Sequence, residues 1–173
     1  MDDLLDQPTR RRIYEVVGEH PGASAREVQR LSGLAWGETA YHLDQLTRAG
    51  AVRRERGGRR DYYFRPQVAW EDRKLLRSLR SATQRRLLIA LTARPGLTSG
   101  ELSHEVGLSL STTSFHLRAL LAGGAVEAYR DGNLRRYRPT HPQRLAQLLG
   151  LYRESFRDRI VDRFVETWSA LLR

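Results

Sequence analysis

The sequence predicts a mainly α-helical chain with small β-hairpins, built as two copies of one unit in tandem and followed by a long C-terminal helix. Three observations carry this. A stretch near the start recurs 74 residues later. Both copies place helix-spaced apolar residues, capping residues and glycines at the same points. An apolar stripe at helical spacing then runs from Pro142 nearly to the end of the chain.

The repeat begins with Thr9-Arg-Arg-Arg-Ile13 against Thr83-Gln-Arg-Arg-Leu87. At the same offset Pro21-Gly22 falls on Pro95-Gly96, Glu27 on Glu101 and Gly33-Leu34 on Gly107-Leu108. Further on, Thr39 matches Thr113, His42-Leu43 matches His116-Leu117, and Gly50-Ala51-Val52 matches Gly124-Ala125-Val126. Near the end Phe64-Arg65-Pro66 is set against Tyr137-Arg138-Pro139, which asks for one residue to drop out. Long internal self-similarity of this kind is most economically a duplication.

Each copy then reads as a series of elements. A first helix is expected over Thr9–Glu19 and Thr83–Ala93, where Ile13, Val16 and Val17, or Leu87, Leu88 and Leu91, form one buried stripe. Pro21-Gly22 and Pro95-Gly96 break it. Ser24 and Thr98 stand three residues before Glu27 and Glu101, the capping-box spacing that opens a second helix. That helix closes at Gly33 or Gly107, where a left-handed residue is expected. A third helix covers Trp36–Ala49 and Leu110–Ala122, with Ser109 as N-cap in the second copy. Thr39, Leu43 and Leu46, and likewise Thr113, Leu117 and Leu120, face inward at the i, i+4, i+7 spacing. Two short strands follow, joined by Gly57-Gly58 and by Asp131-Gly132, both hairpin signals.

Helix, helix, short turn, helix and hairpin together make a winged helix-turn-helix. The run Asp6-Gln-Pro-Thr-Arg10-Arg-Arg-Ile13 resembles the opening of the ArsR-like winged-helix repressors. Gly107-Leu-Ser-Leu-Ser-Thr-Thr-Ser-Phe-His-Leu117, with Gly124-Ala-Val126 after it, resembles their recognition helix and the entry to the wing. The resemblance covers roughly residues 4–139 and implies binding of double-stranded DNA and transcriptional repression. Metal sensing does not carry over, because the chain has no cysteine to supply that family's ligands.

Composition agrees with a nucleic-acid partner. The net charge is +10, and Lys74 is the only lysine beside arginine at every other basic position. Arginine binds phosphate and guanine edges bidentately where lysine cannot. Residues 1–66 carry 12 basic and 10 acidic groups, residues 83–139 carry 8 and 4, so the second copy is the expected main contact with DNA. With no cysteine, disulfides and thiolate metal sites are excluded. The acidic start Met-Asp-Asp-Leu-Leu-Asp lacks the pattern of a signal peptide, and no stretch approaches a membrane span, so a cytoplasmic, nucleoid-associated protein is expected. No nucleophile–base pair or phosphate-cradling loop stands out; neither an enzyme nor a cofactor is expected.

In a helix-turn-helix the third helix reads bases in the major groove. Subtracting the inward stripe leaves Leu110, Ser111, Thr112, Ser114, Phe115 and Arg118 as the reading face of the second copy. In the first copy the face is Trp36, Gly37, Glu38, Ala40, Tyr41 and Asp44, whose two carboxylates are poorly suited to phosphates. The wings offer Arg53, Arg54, Arg56, Arg59 and Arg60 in copy one and Arg130, Arg135, Arg136 and Arg138, with Asn133 at the tip, in copy two. Arg11-Arg12 and Arg85-Arg86 are read either as backbone anchors or as solvated charges. His42 and His116 are read as phosphate contacts or buried-edge hydrogen bonds, since one histidine per copy is a poor metal site.

The expected organisation is thus residues 1–66, a helical linker over 67–82 with Trp70, Leu75, Leu76 and Leu79 apolar, a second copy over 83–139 and a C-terminal helix over 140–173. The stripe Leu145, Leu149, Tyr152, Phe156, Ile160, Phe164, Trp168 and Leu171 is about seven turns long and is expected to pair two copies of the chain, or to fold back within one. Its mixed-sign polar face argues against a membrane surface. A transcriptional regulator is the leading reading. The rivals are an architectural nucleoid protein of little sequence preference and a protein–protein adaptor.

Overall fold

A computed structural model describes residues 3–58, 60–156 and 158–171. The chain divides into two compact units, residues 1–73 and 74–173. In the first, a short 3-10 turn at Asp3–Leu5 precedes α1 (Pro8–Glu19), β1 (Ala23–Ser24), α2 (Ala25–Ser32) and α3 (Trp36–Arg48). The hairpin β2 (Arg53–Gly57) and β3 (Arg60–Phe64) follows, and α4 (Trp70–Arg80) runs across the division between units. The second unit contains α5 (Ala82–Ala93), α6 (Ser99–Val106), α7 (Leu110–Ala122), β4 (Val126–Asp131), β5 (Leu134–Pro139), α8 (Pro142–Leu151) and α9 (Arg159–Leu171). The fold is mainly helical with small antiparallel sheets, as expected of tandem winged helix-turn-helix units.

Local chemistry fixes the boundaries. Ser24 and Thr98 each accept the N3 amide of the following helix while Glu27 and Glu101 reach back to the cap amide, at 2.9 and 2.7 Å. These two capping boxes satisfy orphan donors at both helix starts. Gly33 and Gly107 end α2 and α6 at φ of +75° and +63°, a conformation that side chains with a Cβ rarely adopt. The first core gathers Ile13, Val16 and Val17 of α1, Val28 of α2, and Leu43 and Leu46 of α3. In the second unit Leu87, Leu88, Leu91, Leu102, Leu117 and Leu120 are likewise buried.

The helix bounds of the two copies differ by 74 throughout, and the hairpins keep the same offset. Tyr63 and Tyr137 occupy one place: each carbonyl accepts the amide of Gly22 or Gly96 at 2.8 Å, and each pairs with the residue after that glycine. Arg54↔Tyr63 answers Ala128↔Tyr137, and Gly57↔Arg60 answers Asp131↔Leu134. The dropped residue inferred from Phe64-Arg65-Pro66 is therefore corrected, since ladder register and not a short Arg-Pro identity decides the alignment. The same register keeps Gly57 and Asp131, read from the sequence as turn residues, in the paired ladders opposite Arg60 and Leu134. The two-residue strand β1 escaped the sequence reading, being too short for a period-2 pattern.

The single long C-terminal helix is also corrected. α8 stops at Tyr152 with non-helical φ and ψ, a 3-10 turn follows at Arg153–Phe156, and α9 begins afresh with the Asp158 carboxylate accepting the Ile160 amide at 3.0 Å. Leu145, Leu149, Phe156 and Phe164 are buried within this unit, as are Leu148 and Val161. The break shifts the helical phase, so Val161 turns inward and Ile160 outward. Tyr152 and Trp168 are half-buried, and the Leu171 side chain lies outside the described residues. Most of the stripe offered to a second chain is thus core of its own unit. Leu75, Leu76 and Leu79 of α4 are buried as the periodicity implies, whereas Trp70 is exposed beside Arg73, whose guanidinium pairs with Glu55 of the first wing at 3.0 Å.

Candidate nucleic-acid interface

The reading helix of the second unit is set by its first turn. Ser109 accepts the Thr112 amide at 3.1 Å and joins the Ser111 and Thr112 hydroxyls in a short chain of hydrogen bonds. With Thr113, Leu117 and Leu120 buried, the opposite face presents Leu110 (54% exposed), Ser111, Phe115 (61% exposed) and Arg118, with Thr112 and Ser114 half-buried between them. No carboxylate stands on this face, and Arg118 has no ion-pair partner among the described residues.

In the first unit α3 presents Trp36 (41% exposed), Gly37, Glu38 and Tyr41 (57% exposed), with Ala40 half-buried. Asp44 is occupied by Arg48 at 2.9 Å, and the Arg26 guanidinium lies 3.9 Å from the centre of the Trp36 ring. α3 also lacks the cap of its counterpart, because Ala35 stands where α7 has Ser109.

The wing arginines fall into two groups. Arg130, Arg135 and Asn133 are exposed, and Arg135 lies over the Tyr137 ring. Arg56 and Arg60 are exposed on the first wing, Arg56 within 3.6 Å of Asp61; Arg59 lies outside the described residues. Arg136 departs from its expected role. It donates to Asp131 at 2.7 Å and to the Gly96 carbonyl at 2.8 Å, with Glu101 at 3.6 Å, so it ties the hairpin to the turn before α6. Arg138 is paired with Glu127.

The arginines at the helix starts make contacts within their own units, Arg11 and Arg12 remaining exposed and Arg85 buried. Arg12 and Arg86 donate to the carbonyls of Leu31 and Val106, in the last turns of α2 and α6, where cations complement the helix dipole. Arg11 donates to the Leu5 carbonyl, and buried Arg85 donates to the Leu79 carbonyl with Asp158 at 3.6 Å. His42 is buried and His116 half-buried. Each leaves Nδ1 without a partner among the described residues, each meets its aromatic neighbour edge-on, and burial holds each below the usual histidine range. A buried His42 does not fit the phosphate-contact reading.

What sequence reasoning missed is a groove in the first unit between α2, α3 and the hairpin, of about 800 Å3 and lined by Arg26, Arg30, Trp36, Arg54, Arg60 and Tyr63 among others. Its walls come from β1, α2, α3 and both strands of the hairpin, and no linear spacing marks them.

Comparison with known proteins agrees with this architecture. Residues 7–76 match a family described as an N-terminal HTH domain, and residues 80–127 match one described as a winged helix-turn-helix DNA-binding domain. An uncharacterized HTH-type transcriptional regulator of Methanocaldococcus jannaschii is 25% identical over 132 residues, covering 76% of this chain and 33% of the relative. The chain thus spans about a third of that relative's length. Among the described residues, no helix is long and apolar enough to cross a membrane.

Proposed function

We propose that the chain, carrying two helix-turn-helix domains, is a double-stranded-DNA-binding transcriptional regulator, repressor-like in the manner of the ArsR-like proteins it resembles. The second unit is its principal reader. α7 enters the major groove with Leu110, Ser111, Thr112, Ser114, Phe115 and Arg118 toward base edges and the flanking backbone. Arg130, Asn133 and Arg135 follow the adjacent phosphates or the minor groove, where narrow A·T tracts attract arginine. Trp36, Gly37, Ala40, Tyr41 and the wing residues Arg56, Arg59 and Arg60 are the first unit's contacts.

The single observation that carries this reading is the outer face of α7: neutral and basic, free of carboxylates, and projecting Arg118, which has no ion-pair partner among the described residues. The winged helix-turn-helix match and the name of the relative point the same way. One feature favours a second reading, an architectural binder with little sequence preference: α3 carries Glu38 and Asp44 on the equivalent face.

Selection from a random pool of duplexes of about 30 base pairs at physiological salt separates the two. An enriched motif establishes a regulator, and half-sites about 10 base pairs apart show two copies acting together. DNA retained without a motif and released steeply by salt establishes the architectural binder. No retention refutes both.

A further inference from the structure

The groove of the first unit carries chemistry that the second unit cannot reproduce. At the common offset of 74, Arg26 answers to Gly100, Trp36 to Leu110, Arg54 to Ala128 and Arg60 to Leu134. Three arginines and the indole are therefore particular to the first copy. The groove's volume, about 800 Å3, lies within the range of small-molecule sites, about 300–1,000 Å3.

Its electrostatics are unbalanced once existing partners are counted. Three carboxylates line it, and each is engaged: Glu27 in the capping box of α2, Asp44 with Arg48, and Asp61 with Arg56 and Arg54. Of the four arginines, Arg26 lies over Trp36 and donates to Gln29, and Arg54 stands 4.0 Å from Asp61. Arg30 and Arg60 have no ion-pair partner among the described residues. Burial, then the charge of Asp61, pushes the Tyr63 phenol above its usual range, so it stays protonated. The site therefore offers two guanidinium groups without an ion-pair partner among the described residues, a phenol, and a partly exposed indole that Arg26 covers on one face.

We propose that this groove binds a small planar aromatic anion, a ring bearing a carboxylate or a phosphate, with the ring against Trp36 and the anionic group held by Arg30 and Arg60. Guanidinium groups pair with either anion by charge-assisted hydrogen bonds, and the indole supplies the apolar contact. A molecule seated there covers Trp36 and Ala40 on α3 and Arg60 on the wing, so it excludes DNA from the first unit. That consequence rests on the DNA-binding reading; occupancy of the groove does not.

The test titrates 1-naphthoate, or adenosine monophosphate, into the full chain and follows amide and indole NMR signals. Saturable shifts are expected at Trp36, Arg30, Arg60 and Tyr63, with the counterpart positions of the second unit unmoved. Which probe saturates tells a carboxylate from a phosphate. Arg30→Ala with Arg60→Ala, both at exposed positions, should weaken binding about tenfold or more, and Trp36→Ala should abolish the response to the ring. The proposal is overturned if no shift saturates at millimolar probe, if neutral 1-naphthalenemethanol binds as well, or if inorganic phosphate alone moves the same signals. Saturation without any change in DNA affinity leaves the site standing and removes the first unit from the DNA contact.

Discussion

The two copies offer an internal experiment on the start of the recognition helix. Ala35 and Ser109 hold the same place, with φ and ψ of −64° and 152° against −66° and 151°. Only Ser109 has a side-chain oxygen to satisfy the N3 amide, which it does at 3.1 Å. Ala35→Ser should therefore add a cap to an unchanged backbone, and Ala35 is exposed, so the hydroxyl has room. An N-cap serine exceeds alanine by about 1 kcal/mol, within a range of roughly 0.5–2. The new serine would also stand three residues before Glu38, the arrangement by which Ser24–Glu27 and Thr98–Glu101 satisfy two amides at once. A gain toward the upper half of that range is expected. The reciprocal change, Ser109→Ala, should cost α7 about 1 kcal/mol. Native-state hydrogen exchange reads each unit separately, which a single melting curve does not. Amides of residues 42–46 should slow by about fivefold or more in Ala35→Ser, and those of residues 116–120 should quicken by about fivefold in Ser109→Ala. If Ala35→Ser leaves exchange in α3 unchanged or faster, matched dihedrals do not suffice to build a cap, and the argument from equivalence fails.

Other changes address the reading face, the buried arginine and the histidines. Arg118→Ala should lose roughly 1–3 kcal/mol of affinity at one base position if Arg118 reads guanine, or weaken all duplexes alike if it touches phosphate, as measured by fluorescence anisotropy; unchanged binding would remove α7 from the interface. Arg85→Ala strips the donor from the Leu79 carbonyl and the partner from Asp158, and should cost the second unit about 3 kcal/mol or more, a fall of roughly 10 °C or more in its calorimetric transition. Arg85→Met, which keeps the packing volume, should fall less. At His42, burial and then the Arg10 charge lower the pKa against a smaller opposing effect of Glu38; at His116 burial alone does so. The unfolded chain then binds more protons, so stability is whole above 6.5 and falls as pH drops through 6.5 toward the folded values. The urea midpoint should decline on acidification over that window and flatten when both histidines become glutamine.

Much of the fold was legible because short-range chemistry wrote it. Ser24, Thr98, Gly33 and Gly107 declare helix ends through their own side chains or their lack of one, whatever surrounds them. The outward set on α7 followed from the period of Thr113, Leu117 and Leu120. Illegible features were those decided by partners distant in sequence. Arg136 looks like any wing arginine until the hairpin brings it to the Gly96 carbonyl and Glu101. Leu149, Phe156 and Phe164 keep a helical spacing in the sequence although a break after Leu151 separates Leu149 from the other two, because each is buried whichever element carries it. The groove was hidden for the same reason, its guanidinium groups and indole being collected from α2, α3 and both strands of the hairpin.

The constant spacing of the two copies has a consequence of its own. The three helices and the paired ladder keep one offset in both units, although the surfaces they carry differ in charge and in aromatic content. Insertions and deletions would have moved the third helix relative to the hairpin; substitutions on the outer faces left that geometry alone. The parts are therefore interchangeable by length. Residues 36–48 and 110–122 share one length and one set of inward positions, so exchanging them between the units should leave each frame folded, which a thermal melt of the swapped chain would check.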